Sequence, residues 1–282
     1  MYRIVVKEML TPTICLMEVE APRIAKAAQP GQFLIVRSGE LGERIPLTIS
    51  DYDAQAGTVT IVTQAIGAST SRIVDMEVGD CFEDVAGPLG VPSEFVSMSP
   101  EELASQHYVF LAGGVGTAPV YPQAKWLKER GVSVDVIIGA RNKDLLIYTE
   151  RMSKVCDRLY LCTDDGSYGF HGLVTAQLEA VAAERGYNHM VAIGPMIMMK
   201  FATLTAKKLG LRATVSLNSL MVDGTGMCGA CRVSIGGKMK FACVDGPEFD
   251  GYEVDFDEAM RRQRQYTEEE REALERYKAS KE

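Results

Sequence analysis

The sequence predicts a β plus α/β fold: an antiparallel β-barrel, then a parallel-sheet α/β domain, then a small cysteine module. Three observations carry this. Short β-branched runs punctuated by Gly, Pro and Asp fill the first hundred or so residues. Strand, glycine turn and helix then alternate. Near the C-terminus, "VDGTGMCGACRVSIGGKMKFAC" (Val222 to Cys243) gathers three cysteines in a glycine-rich setting.

The totals bound the function. A chain of 282 residues exceeds one small core, and 46% hydrophobic with 24% charged residues is an ordinary globular balance. The formal net charge of -8 argues against a nucleic-acid binder, because phosphate contacts need a basic face. No apolar run approaches the ~20 residues of a membrane span. "MYRIVVKEML" lacks a signal peptide's apolar core, so a cytoplasmic protein is expected, with no membrane partner.

In order, "YRIVVKEML", "ICLMEVEA", "GQFLIVRS" and "TVTIVTQAI" read as barrel strands, giving a first domain over 1–98. "SMSPEELASQ" reads as a linker with a capped turn, Ser99 before Pro100 and Glu102. "HYVFLAGGVGTAPVYPQAKWLKERG", "VSVDVIIGARNKDLLIYTERM", "RLYLCTDDG", "LVTAQLEAVAAERG", "HMVAIGP" and "MIMMKFATLTAKKLG" form the βα series of a domain over 104–212. "ATVSLNSLM" opens a strand-and-loop module over 213–250, and a tail over 251–282 carries a charged helix with a capping box expected from Thr267 and Glu270.

Of seven cysteines, Cys15, Cys81, Cys156 and Cys162 are scattered in strand-like sequence and read as small apolar residues. The odd count argues against a disulfide framework. The others follow the pattern D-x4-C-x2-C-x11-C, with Asp223 where the first thiolate of a plant-type [2Fe–2S] loop stands, followed by Cys228, Cys231 and Cys243. Gly224, Gly226 and Gly229 let the backbone fold tightly around these ligands. A carboxylate is harder than sulfur and suits ferric iron. A Cys3Asp zinc site is the competing assignment, but neither His171 nor His189 lies nearby in sequence.

Upstream, "RIPLTIS" places Arg44, Pro46 and the hydroxyls of Thr48 and Ser50 at a strand edge, suited to a pyrophosphate and a flavin ring, or else simply a strand with a surface arginine. "IGASTSRI" supplies a small-residue turn, Gly67 to Thr70, including Ser69. In "FLAGGVGTAPV", Gly113, Gly114 and Gly116 follow a buried strand and open a helix whose free N–H groups favour an anion. Pro119 stands where the third dinucleotide glycine would be, and fits a first helical turn. Asp164 or Asp165 offers a ribose contact or caps a turn, and Arg141 follows "IIGA" where a 2′-phosphate contact would fall. Met196, Met198 and Met199 read as helix core, and His107, His171 and His189 as satisfied structural residues.

With these residues in place, the chain resembles the ferredoxin–NADP reductase superfamily over residues 1 to about 212. The resemblance implies that Arg44, Pro46, Leu47, Thr48, Ile49 and Ser50 lie against FAD together with Gly67, Ser69 and Thr70. It also implies that Gly113, Gly114, Gly116, Thr117, Ala118 and Pro119 face the nicotinamide dinucleotide, and that Gly194, Pro195 and Met196 close its site. Ile193 replaces the cysteine common in that superfamily, and Ser69 replaces a glycine. The iron–sulfur module narrows the resemblance to the branch containing electron-transfer subunits of dihydroorotate dehydrogenase. Within that branch, Asp223 and the continuation "GPEFDGYEVDFDEAMRRQRQY" are similar to small subunits of NADH-dependent reduced ferredoxin:NADP+ oxidoreductases.

That resemblance implies an oxidoreductase subunit. Hydride would pass between NAD(H) and FAD, and single electrons through the cluster to a larger FAD and iron–sulfur subunit in a heterodimer, where ferredoxin takes part through bifurcation. It implies no acid–base catalytic residue. The alternatives are the reductase subunit of a dihydroorotate dehydrogenase and a zinc-stabilised binding module.

Overall fold

The computed structural model describes residues 2–40 and 42–281; Met1 and Glu282, the outer bounds of the expected organisation, and Leu41 lie outside it. β1 (Tyr2–Thr11) and β2 (Ile14–Glu20) form a hairpin, followed by α1 (Pro22–Ala27). β3 (Phe33–Arg37), β4 (Arg44–Asp53) and β5 (Thr58–Gln64) make an antiparallel meander whose last strand pairs with β2. After α2 (Ala68–Asp75), β6 (Cys81–Phe82) and β7 (Asp84–Leu89) take the opposite edges of one seven-stranded sheet. Only Glu83 separates these edge strands in sequence, so the sheet curls until its edges nearly meet. Alternate residues of each strand point inward, and Ile4, Met17, Leu34, Ile49, Ile61 and Phe82 fill the barrel.

α3 (Pro100–Ala104) has the expected cap: Ser99 Oγ accepts from the Glu102 amide at 3.2 Å, and the Glu102 carboxylate accepts from the Ser99 amide at 2.8 Å. Next come β8 (His107–Gly113), α4 (Thr117–Glu129), β9 (Ser133–Ala140), α5 (Thr149–Met152), β10 (Arg158–Thr163), β11 (Phe170–His171), α6 (Val174–Arg185), β12 (His189–Ile193), α7 (Met196–Leu209) and β13 (Arg212–Ser216). The strands form a parallel sheet in the order β11-β10-β9-β8-β12-β13. Their near-continuous apolar runs follow from burial on both faces. Helix α4 covers one face through Val120, Ala124 and Leu127, and α6 and α7 cover the other through Leu178, Met199 and Ala202. β13, expected at the head of the cysteine module, belongs to this parallel sheet.

The cysteine module contains the hairpin β14 (Arg232–Ile235) and β15 (Lys238–Phe241), then α8 (Ala242–Asp245) and β16 (Glu248–Asp250). Gly236 and Gly237, at φ 57° and 72°, make the two-residue turn that side chains disfavour. β16 pairs antiparallel with β13, so the module hydrogen-bonds into the edge of the α/β sheet. α9 (Phe256–Gln263) is capped by Asp255 and buries Phe256 and Ala259 against the α/β core.

α10 (Thr267–Ala279) buries no residue. Its expected capping box is absent: Thr267 is already helical, and its hydroxyl donates to the Arg264 carbonyl at 3.0 Å. The short α9–α10 connection uses that hydroxyl to satisfy the end of the preceding helix.

The histidines do not fit the expectation of satisfied structural residues: His171 is exposed, and the other two are only partly partnered. His189 Nε2 meets Thr214 Oγ1 at 2.8 Å, whereas its Nδ1 and His107 Nε2 have no hydrogen-bond partner. Burial pushes the His189 pKa down to about 3, so the ring is neutral. Among the described residues no helix is long and apolar enough to cross a membrane.

Candidate functional site

The barrel packs on the α/β domain through an apolar seam. Ile14, Leu16 and Val62 point out of the barrel onto Ala118, Ile147 and Tyr148. Lys125 on α4 pairs with Asp51 on β4 at 2.9 Å beside it. Above the seam a cleft of about 1180 Å³ opens between the barrel, the carboxyl ends of the parallel strands and the start of the cysteine module. Ligands of open α/β sheets bind at that edge.

Many expected residues meet in this cleft. Pro46, Leu47, Thr48 and Ser50 line it from β4, and Gly113, Gly114, Gly116 and Pro119 from the turn after β8. Arg141 and Asp164 enter from the loops after β9 and β10, and Gly194, Pro195 and Met196 from the loop after β12. The glycines are there for two different reasons. A Cβ on Gly116 would lie 2.4 Å from the Ile193 carbonyl oxygen, and one on Gly113 would meet Met198 Sδ at 2.5 Å, so these two let the β8 and β12 turns touch. Gly114 has φ +55° with nothing within 4 Å of a Cβ, which leaves its backbone open to the cleft. An open backbone at a helix N-terminus fits a dinucleotide's charged linker.

Other expected residues lie elsewhere. Ile49 is buried in the barrel, and Thr117 and Ala118 are buried on the inner side of α4. Thr117 Oγ1 donates to the Gly114 carbonyl at 2.9 Å and so shapes the turn from below. Gly67 caps α2, Thr70 Oγ1 accepts from the Ile66 and Gly67 amides at 3.0 Å, and the Ser69 hydroxyl donates to the Glu43 carboxylate. Asp165 accepts from the Ser167 amide and hydroxyl, which hold its carboxyl below the usual range. Arg44 turns toward the cysteine module. Its Nη1 pairs with Asp84 at 2.9 Å and its Nε donates to the Val222 carbonyl at 2.9 Å.

Residues carrying no motif also line the cleft: Leu173, Ile197 and Phe201 from the α/β domain, Asn218 from the loop after β13, and Met260, Gln263 and Arg264 from α9 and its end. Ile197, Phe201 and Leu204 form an exposed apolar stripe along α7 at i, i+4, i+7 spacing, the pattern that could have marked this wall in the sequence.

The cysteine loop begins where the cleft ends. Gly224, Gly226 and Gly229 all take the left-handed region, at φ 85°, 84° and 68°. Of the four expected ligands, two adjoin one another. Cys231 and Cys243 are buried with their Sγ atoms 3.2 Å apart. Cys228 is exposed, and backbone N–H groups at Ala230 and Asp223 draw its thiol below the ordinary range. Burial and the neighbouring thiol push Cys243 the other way.

Asp223 Oδ2 accepts from the Thr225 hydroxyl and amide, which keep its carboxyl ionised, and more distantly from the Met227 amide. Among the described residues no three His, Cys, Asp or Glu side chains converge on one metal-ion position. Three sulfurs and a carboxylate on one glycine-rich loop and the adjoining hairpin are the donor types that a two-iron cluster takes.

Comparison with known proteins adds the family and the fold. Residues 218–255 match the iron–sulfur cluster binding domain of dihydroorotate dehydrogenase B. A Thermotoga maritima homolog of the dihydroorotate dehydrogenase B (NAD(+)) electron transfer subunit is 46% identical, over 92% of this chain and 89% of its own. An uncharacterised Clostridium beijerinckii protein is 57% identical over 96% and 92%. The solved structure of an NADH-dependent reduced ferredoxin-NADP oxidoreductase, studied for flavin-based electron bifurcation, superposes at TM-score 0.91 with 43% identity, covering 98% of both chains. A Neisseria gonorrhoeae ferredoxin NADP+ reductase with bound FAD and NADP shares the fold at TM-score 0.58 and 18% identity, over 74% and 90%.

Fold and site together define a flavoprotein oxidoreductase of the ferredoxin–NADP reductase superfamily that carries an iron–sulfur module. Within it, the chain belongs to the family of dihydroorotate dehydrogenase B-type electron transfer subunits.

Proposed function

We propose that this chain is the NAD(H)-linked electron-transfer subunit of an electron-bifurcating NADH-dependent ferredoxin:NADP+ oxidoreductase. FAD in the cleft would exchange hydride with NAD(H), and a [2Fe–2S] cluster would carry single electrons onward, because hydride moves two electrons and the cluster one. The observation carrying this reading is end-to-end similarity to the bifurcating enzyme's chain, 98% of each at TM-score 0.91.

The residues take these parts. Pro46, Leu47, Thr48 and Ser50 offer the FAD ring a wall with two hydroxyls, while Ile49 fixes their strand from inside the barrel. Gly67, Ser69 and Thr70 supply the turn at the start of α2 for its phosphates. Gly113, Gly114, Gly116 and Pro119 present open backbone to the nicotinamide dinucleotide, with Thr117 and Ala118 supporting the turn. Arg141 and Asp164 flank its adenosine end, Asp165 holds the loop beside them, and Gly194, Pro195 and Met196 close the site. Asp223, Cys228, Cys231 and Cys243 hold the cluster. The domains are those expected over 1–98, 104–212, 213–250 and 251–282, except that β13 (Arg212–Ser216) goes with the α/β domain. The complex is a cytoplasmic heterodimer with a larger FAD and iron–sulfur subunit, through which ferredoxin acts.

An anaerobic pulldown of the chain from its own cells tests this. A large flavoprotein with further iron–sulfur centres supports the proposal. Copurification of a dihydroorotate dehydrogenase overturns it in favour of the second reading, which the match over residues 218–255 independently favours. A colourless, zinc-containing protein overturns both.

A further inference from the structure

We propose that Arg262, on helix α9, positions the Cys228-x-x-Cys231 turn and holds unpaired positive charge against it, raising the reduction potential of the cluster bound there. This rests on the reading that the loop holds a [2Fe–2S] cluster.

Guanidinium groups from separate parts of the chain grip the backbone of this loop. Arg44, on β4, donates to the Val222 carbonyl at 2.9 Å, beside Asp223. Arg232, on β14, donates to the Gly229 carbonyl at 3.1 Å. Arg262 reaches in from α9 and donates through Nη2 to the Ala230 carbonyl at 3.2 Å. Gly229 and Ala230 are the two residues between Cys228 and Cys231, so the last two arginines hold that turn by its carbonyls.

The three charges are not equivalent. Arg44 is neutralised by Asp84 at 2.9 Å. Arg232 is exposed, so water screens it. Arg262 is half-buried, and among the described residues no carboxylate lies within ion-pair distance of it. Three thiolates and a carboxylate make the centre anionic, and reduction adds one more negative charge. A fixed, poorly screened cation therefore favours the reduced form over the oxidised.

α9 is rigid enough to hold that charge in place. Phe256 and Ala259 are buried under it, and Lys200 pairs with Asp257 at 2.7 Å. Gln263 Nε2 donates to Asn218 Oδ1 at 2.7 Å and to the Asn218 carbonyl at 3.0 Å. Asn218 and Gln263 both line the cleft, so a single helix braces the cleft and the cysteine turn.

The test is an anaerobic redox titration of the full chain, followed by electron paramagnetic resonance of the reduced cluster, with iron and sulfide content measured on each sample. In Arg262→Gln, which keeps a donor and loses the charge, the reduced-to-oxidised ratio at a fixed potential should fall about threefold, roughly 30 mV at 59 mV per decade. Arg262→Lys should keep the wild-type ratio, and Arg232→Gln should shift it less than Arg262→Gln does. An Arg262→Gln cluster with the wild-type ratio overturns the proposal, as does an equal shift in Arg232→Gln. If Arg262→Gln loses its iron, Arg262→Lys decides: a wild-type ratio supports the charge, and a threefold fall overturns it. Wild-type chain without iron and sulfide overturns the cluster reading, and this inference with it.

Discussion

Arg44 Nε donates to the Val222 carbonyl at 2.9 Å, a bond across 178 residues that ties the barrel to the loop ahead of Cys228. The same guanidinium pairs with Asp84 at 2.9 Å. It therefore joins two barrel strands and the loop at one point, which a single planar fork can do and an ammonium cannot.

Replacing Arg44 should therefore loosen the loop before it unfolds the barrel. Arg44→Met and Arg44→Lys should each lower stability by about 1–2 kcal/mol, the scale of lost charge-assisted hydrogen bonds. Both should release iron to a chelator faster than wild type. Urea denaturation and iron-release kinetics check this; unchanged iron release in both variants would refute the tie.

Asp223 is expected to serve two roles that substitutions can separate. Asn at this position can still accept from the Thr225 amide, now 3.0 Å from Asp223 Oδ2, but brings no negative charge to iron. Asp223→Asn should keep the fold by circular dichroism and lose most of its iron, whereas Asp223→Cys should retain it with altered electron paramagnetic resonance. Full iron content in Asp223→Asn would remove Asp223 from the ligand set.

Glu248 should make stability depend on pH. Its Oε1 accepts from Ser93 Oγ at 3.0 Å and Gln123 Nε2 at 2.8 Å, joining β16 to the segment after β7 and to α4. Burial pushes its carboxyl up to about 7, against the pull of those hydrogen bonds, with the Glu94 charge adding to the rise. A raised carboxyl binds more protons folded than unfolded between about pH 4.5 and 7. Its contribution is fully present below that window and is lost as pH rises through it. Urea midpoints across that window should fall more steeply with pH for wild type than for Glu248→Gln. Parallel slopes would show that Glu248 does not titrate there.

Gly114 and Gly116 should respond differently to alanine. A Cβ on Gly116 meets the Ile193 carbonyl oxygen at 2.4 Å, so Gly116→Ala must separate two strands and should cost about 2 kcal/mol or more. Gly114→Ala meets nothing, and its left-handed backbone costs only about 1 kcal/mol. The added methyl nevertheless enters the cleft, so the KM for NADH should rise several-fold with a small change in Tm. Equal losses of Tm in both would count against an open turn at Gly114.

The local features were legible in the sequence because their causes are local. Strand periodicity, the Ser99–Glu102 box and the left-handed glycines around Cys228 depend on neighbours a few residues away. The spacing of Asp223, Cys228, Cys231 and Cys243 indicated a cluster loop by itself, because ligand chemistry restricts which residues can stand there.

Where a side chain points, and what meets it from elsewhere, is decided by tertiary packing. The R-x-P-L-T-I motif marked Arg44, but only the fold turns its guanidinium onto Val222 and Asp84. Thr267 carried a capping signature that the end of α9 overrode. Glu248, Gln263 and Arg262 lie in the stretch "GPEFDGYEVDFDEAMRRQRQY", whose sequence assigns them no contact; they matter because β16 pairs with β13, and α9 then lies between the cleft and the cysteine turn. Those contacts join residues 32 to 155 positions apart, and no short-range pattern encodes them. Burial, charge compensation and the reach of an arginine are properties of the assembled chain.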